Sequence, residues 1–157
     1  MTTEERAETP SPRYYIDTEG ECARRRSIPL MVAERRCYQC RQADEGEGLP
    51  SAEDLPGLLQ TIVDHCKDTP DYLAADTPLK EAIFRVLLAS GNQPMTAAEV
   101  AKVLQEEWAM TPYPRNLAPE VLQRLMDHSP LYCITRVEEE EEEEEAQEDG
   151  EPQEGSS

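Results

Sequence analysis

TPLKEAIFRVLLASGNQPMTAAEVAKVLQEEW, residues 77 to 108, is the stretch whose reading decides the fold. Thr77-Pro78 opens a helix, since a proline is tolerated in a first turn and the threonine precedes it. Leu79, Ala82, Ile83, Val86 and Leu87 recur at helical spacing, and Gly91 stands where a helix commonly stops. After a short extended stretch at Gln93 to Met95, Thr96-Ala97-Ala98-Glu99 has the spacing of a capping box. Ala97, Val100, Ala101, Leu104 and Trp108 then share one helical face. Two amphipathic helices joined by a tight turn need a third element to cover them.

The flanks supply it. A loop with Pro112 and Pro114 leads to a third helix over 118 to 128, buried through Val121, Leu122, Leu125 and Met126. Leu131 to Val137 (LYCITRV) reads as a strand. Upstream, Leu55, Leu58, Leu59, Ile62, Val63 and Cys66 follow helical spacing, with Asp54 as a cap and Pro56 in the first turn. Further forward, Arg13 to Thr18 (RYYIDT) and Ser27 to Ala33 (SIPLMVA) read as a β-hairpin, Pro29 confining its second strand to an edge. The expected organisation is a disordered segment over 1–12; a hairpin, Cys-x-x-Cys knuckle and helix over 13–70; a helical domain over 76–137; and an acidic tail over 138–157. The fold class is mainly α with short β, and the expected core includes Leu79, Ile83, Leu87, Val100, Leu104, Leu122 and Leu125.

The order helix, short extended stretch, helix, helix, strand is that of a winged-helix (helix-turn-helix) domain. The quoted stretch resembles the opening of the HARE type of winged helix, in which a G-x-x-P-[ML]-T turn separates the first two helices. A domain of that type followed by a long acidic tail is similar to the delta subunit of bacterial RNA polymerase. The likeness spans residues 76 to 137 plus the tail. One wing strand follows the third helix, and 75 residues precede the domain. The front part, RYYID to CYQCR, resembles small uncharacterised bacterial proteins that pair a Cys-x-x-Cys knuckle with such a helical segment. These resemblances imply a winged-helix fold and a transcription-associated accessory role.

Charge bears on partners. Among 157 residues, 34 are acidic and 15 basic, for a formal charge of −19. The tail opens with eight glutamates, Glu138 to Glu145, and holds 12 acids without one Lys or Arg; residues 1–137 keep 22 acids against 15 bases. Such a tail repels itself and has nothing to bury, so a solvated coil that mimics nucleic acid or binds a basic protein is expected. An acidic body argues against unspecific binding to phosphate backbones. Against that trend, Arg24, Arg25, Arg26, Arg35, Arg36 and Arg41 face a single acid, Glu34, within residues 24 to 41, a local charge of +5. Those arginines could hold phosphates and Tyr38 could stack on a base, or the arginines could pair with the protein's own acids. The third helix carries only Arg124 against Glu120 and Asp127, with Arg115 before it. That is a poor set of donors for reading bases.

The five cysteines need an account. No stretch approaches the roughly 18 apolar residues of a membrane span, and the first ten residues lack a signal peptide's apolar region. A cytoplasmic location follows, in which a disulfide framework is not expected. Cys37 and Cys40 have the spacing of a zinc knuckle. Cys66, at the end of an apolar stripe, is the best third ligand for zinc. The fourth is either His65, which can join Cys66 only if the helix frays there, or Cys22. The competing reading is that these are reduced thiols without a metal. Cys133 is expected as a plain core residue. A redox role for the knuckle would need a preceding βαβ unit, which is not visible. A hydrolase built on Cys66 and His128 has no oxyanion motif nearby. The expectation is a nonenzymatic protein-interaction module without a small-molecule substrate. The alternatives are a zinc-knuckle DNA- or RNA-binding regulator and a purely structural or adaptor protein.

Overall fold

The computed structural model describes residues 11–44, 46, 48–111 and 115–137. The acidic tail and residues 1–10 of the segment expected to be disordered over 1–12 lie outside them. Among the described residues the chain is mainly helical, with a three-stranded antiparallel sheet. In chain order come β1 (Arg13–Ile16), α1 (Glu21–Arg25), α2 (Ile28–Glu34), α3 (Tyr38–Ala43), α4 (Leu55–Asp64), α5 (Leu79–Ala89), β2 (Met95–Thr96), α6 (Ala97–Glu107), α7 (Pro119–Asp127) and β3 (Ile134–Arg136). Among these described elements no helix is long and apolar enough to cross a membrane.

The expected front hairpin does not form. Ser27 to Ala33 is helical: Ser27 caps α2 by accepting from the Leu30 N–H at 3.3 Å, and Pro29 sits in the first turn, where its missing donor costs nothing. Ile28, Val32 and Ala33 then bury on one face against α4. β1 finds other partners and becomes the central strand, in the order β2-β1-β3. Tyr14 pairs with Met95 on one side and with Arg136 on the other. The strand expected from 131 shortens to Ile134–Arg136, because Pro130–Tyr132 forms a 3₁₀ turn and Cys133 takes a left-handed φ of 56°.

Asn92 explains why β1 docks where it does. Its left-handed backbone (φ 63°) and Gly91 (φ 78°) close α5, with the Asn92 N–H bonded to the Leu87 carbonyl at 2.9 Å. The Asn92 amide then faces β1. Its Oδ1 accepts from the Ile16 N–H at 2.8 Å, and its Nδ2 donates to the Ile16 carbonyl at 2.9 Å. A side chain thus extends the ladder by one residue where β2 has ended. Tyr14 adds a second tie from β1, its hydroxyl donating to Asp127 at 2.8 Å. Burial, then that carboxylate, pushes the phenol up to about 12.

The capping box at Thr96 and Glu99 forms as expected, with reciprocal bonds of 3.1 and 2.9 Å. Asp54 stands at the start of α4, but its carboxylate turns back to the Ser51 N–H at 2.8 Å. Of the expected core, Ile83, Leu87, Val100, Leu104 and Leu122 are fully buried, while Leu79 and Leu125 pack at its margin. The core is one cluster that also takes Ile28 and Val32 from α2, Leu58 and Ile62 from α4, and Tyr14 and Ile16 from β1. Leu104→Ala is expected to cost about 2–5 kcal/mol, because it would leave a cavity at a site with no exposure. Chemical denaturation checks this, and a loss under about 0.5 kcal/mol would contradict the packing.

Candidate metal centre

Three elements converge on Cys37, Cys40, His65 and Cys66. Cys37 is the N-cap of α3 and Cys40 lies in its first turn, so both sulfurs leave the same face of one tight turn. α4 ends at Asp64. His65 then leaves helical geometry (φ −137°, ψ −58°), and Cys66 begins a 3₁₀ turn. This break lets two sequence neighbours serve one point, which a continuous helix would forbid by setting them about 100° apart. Cys66 is fully buried beneath the cluster, whereas His65 is exposed at its rim.

The four donor atoms all lie within 4.8 Å of one another. Cys37 Sγ is 3.4 Å and Cys40 Sγ 3.7 Å from His65 Nδ1, and Cys66 Sγ is 3.7 Å from Cys40 Sγ. A tetrahedral ion with bonds of about 2.3 Å to sulfur and about 2.0–2.1 Å to nitrogen spans edges of about 3.8 Å (S···S) and about 3.6 Å (S···N). These three distances are close to those edges, and the cluster could bind a metal ion. Its protonation behaviour is consistent with a set built for a cation. Burial raises the Cys37 thiol, but the Cys40 backbone N–H, the Cys40 and Cys66 thiols and the His65 charge outweigh it and bring Cys37 to about 7. Burial, then hydrogen bonding to Cys37, pushes Cys40 up to about 12, and burial raises Cys66 as well. Three sulfurs this close cannot all ionise unless a positive ion joins them.

Cys22 is not a fourth ligand. It is joined to Cys133 in a disulfide that links α1 to the start of β3 across 111 residues. Cys133 is buried as expected, yet it is bonded to Cys22, contrary to the expectation that it is a plain core residue and that no disulfide forms. Cys37, Cys40 and Cys66 are the free cysteines.

The arginines divide. Arg24, Arg25 and Arg26 are exposed on and after α1, and Arg41 is exposed on α3. Arg25 pairs with Glu21 at 3.0 Å. Arg35 and Arg36, at the end of α2, face inward: Arg36 meets Asp44, and Arg35 binds Glu81 of α5 through two bonds of 2.9 Å. Tyr38 is 64% exposed beside the cluster, its hydroxyl accepting from Gln42. The Glu81 hub is a feature that sequence reasoning missed. Arg85 Nε also donates to it at 2.8 Å, and the Tyr132 hydroxyl at 3.0 Å. Arg35 lies over the Phe84 ring, 5.0 Å from its centroid.

Fold and site together describe a mainly helical protein with a Cys₃His cluster beside its core. No protein-family model matches the chain, and no curated protein or solved structure matches it either.

Proposed function

We propose that this chain is a nonenzymatic protein-interaction module, stabilised by one structural zinc ion and serving as an accessory factor to a transcription-associated machine. α5, α6 and α7, packed on the three-stranded sheet, would be its winged-helix part, with β1 supplying the wing strand that does not follow the third helix. The observation that carries the zinc reading is the convergence of three cysteines and one histidine, their donor atoms all within 4.8 Å of one another. Four protein donors leave no position open for water or substrate, which is the mark of a structural site. Zinc suits three thiolates and an imidazole better than the oxygen-seeking cations do. Zinc measured in protein purified without added metal tests it: one equivalent is expected, and less than about 0.2 would refute it.

The interaction reading is supported by how the cations are used. Arg35 and Arg36 are committed to Glu81 and Asp44, and α7 offers only Arg124 at its exposed face. Little is left for reading base edges, whereas the tail's 12 carboxylates suit a basic protein surface. One observation favours residual phosphate affinity as well: Arg24 and Arg26 make no ion pair among the described residues. If the tail masks them, deleting 138–157 raises affinity for a short labelled duplex at low salt, and the gain shrinks as salt rises. Failure of both forms to bind near 20 mM salt would rule out masking, leaving the tail as a docking segment for a basic partner.

A further inference from the structure

We infer that the Cys22–Cys133 disulfide is an exchange site for small anionic thiols, and that opening it releases α1 and the arginines at 24 to 26 from the body. The bridge lies in an open cleft of about 550 Å³, lined by Glu21, Arg25, Arg26, Pro130, Ile134 and Thr135 beside the two cysteines. That volume admits a molecule the size of a tripeptide. Arg26 meets no acid among the described residues, so the mouth keeps a positive charge after Arg25 has met Glu21. A thiol carrying carboxylates is the reductant such a mouth would concentrate.

Exposure decides which sulfur reacts. Cys133 is 2% exposed, whereas Cys22 is half-buried and open to the cleft. The incoming thiolate attacks Cys22 Sγ, the S–S bond breaks, and the electron pair leaves on Cys133 Sγ, which takes a proton from water. A second thiolate attacks the external sulfur of the mixed disulfide. It forms the small-molecule disulfide and frees Cys22, so two electrons pass from two thiols to the bridge.

The consequence follows from how weakly α1 is otherwise held. It has no buried residue and no side-chain cap at its N-terminus. Only Cys22 and Ala23 pack partly on the core. Its entry is shaped by Asp17, whose carboxylate accepts from the Glu19 and Gly20 N–H groups, but that turn lies before the helix. The covalent link is therefore the main constraint on α1. The β1–β3 ladder and the Arg136–Asp127 pair keep β3 in place without it. Reduction would free Arg24–Arg26 while leaving the body folded.

The test uses the full chain, equilibrated with oxidised glutathione and then treated with reduced glutathione or with cationic cysteamine at equal thiolate concentration. Alkylation with mass mapping follows each cysteine, and brief trypsin treatment follows cleavage after Arg24, Arg25 and Arg26. Relative to a neutral model disulfide, glutathione is expected to open the bridge on the order of 10-fold faster than cysteamine near 20 mM salt. The preference should collapse in the Arg25→Gln/Arg26→Gln variant, whose substitutions are on exposed side chains. Tryptic cleavage should rise on reduction by about the same factor. Failure to form the Cys22–Cys133 pair, equal rates for both thiols, or unchanged cleavage would each overturn the inference. Labelling of Cys37, Cys40 and Cys66 reports separately on the zinc reading, which this inference does not need.

Discussion

Cys66→Ser, or chelation of the wild-type chain, is expected to unfold the protein rather than merely soften it. Structural zinc in small domains contributes about 10–16 kcal/mol of apparent binding energy, while whole domains are stable by about 5–15 kcal/mol. The loss is therefore of the order of the total. The architecture points the same way. α3 has no buried residue and is six residues long, too short to persist alone. The cluster ties it to the end of α4, whose Leu58 and Ile62 reach the common core. Serine removes one thiolate and leaves a polar hydroxyl at a position without solvent exposure. Far-UV circular dichroism with zinc analysis checks this, and a folded variant holding no zinc would refute the structural role. Because the ligand thiols must lose protons, metal affinity should fall as the solution is acidified.

Glu81→Gln should be the next most damaging change, at about 3–5 kcal/mol, the usual range when one partner of a buried ion pair is removed. Its side chain is 14% exposed; Arg85, at 24%, would lose its counter-ion, and Arg35, at 17%, would keep only the exposed Glu34 at 3.7 Å. Burial alone would raise the Glu81 carboxyl. The hydrogen bonds from Arg35 and Arg85 override it and hold the group at about 2. A carboxyl depressed in the folded state stabilises it above the ordinary carboxyl range. That contribution is lost as pH falls from about 4.5 toward 2, because the unfolded chain binds the proton first. Stability measured over that window should fall less steeply in Glu81→Gln than in the wild type. Parallel slopes would show that folding leaves the Glu81 carboxyl unshifted. Replacing Glu81 with leucine and both arginines with methionine should cost less than Glu81→Gln alone, since no charge is then stranded.

Both predictions concern interactions between segments distant in sequence, and they differ in how far the residues advertise them. The helices at 55–64, 79–89, 97–107 and 119–127 were legible because their burial follows a local 3.6-residue period. The box at Thr96 and Glu99 was legible for the same reason, since both partners lie within one turn. Cys37, Cys40 and Cys66 could be grouped from a tight-turn spacing plus an inward-facing stripe. His65 could be named only on condition that the helix broke there, and it does.

What failed was short or distant. SIPLMVA is too brief for alternation to be told from helical period, yet Ser27 followed by Pro29 already carried a cap and a first-turn proline, a signal for helix that outranks hydrophobic content. The identity of β1's partners, the clamp from Asn92 across 76 residues and the choice of Cys133 for Cys22 are long-range pairings. No local pattern encodes them. They depend on which surfaces are left once the helices have packed: α5 ends in two left-handed residues that aim an amide outward, and β1 is the strand whose backbone that amide can complete. The residues by themselves determined the four longer helices and the capping box at Thr96, whose partners lie within a few turns, and they grouped Cys37, Cys40 and Cys66. Only the tertiary structure decided the sheet order, the helix break that brings His65 to the cluster, the Glu81 hub and the disulfide, because each depends on how groups far apart in the chain pack together.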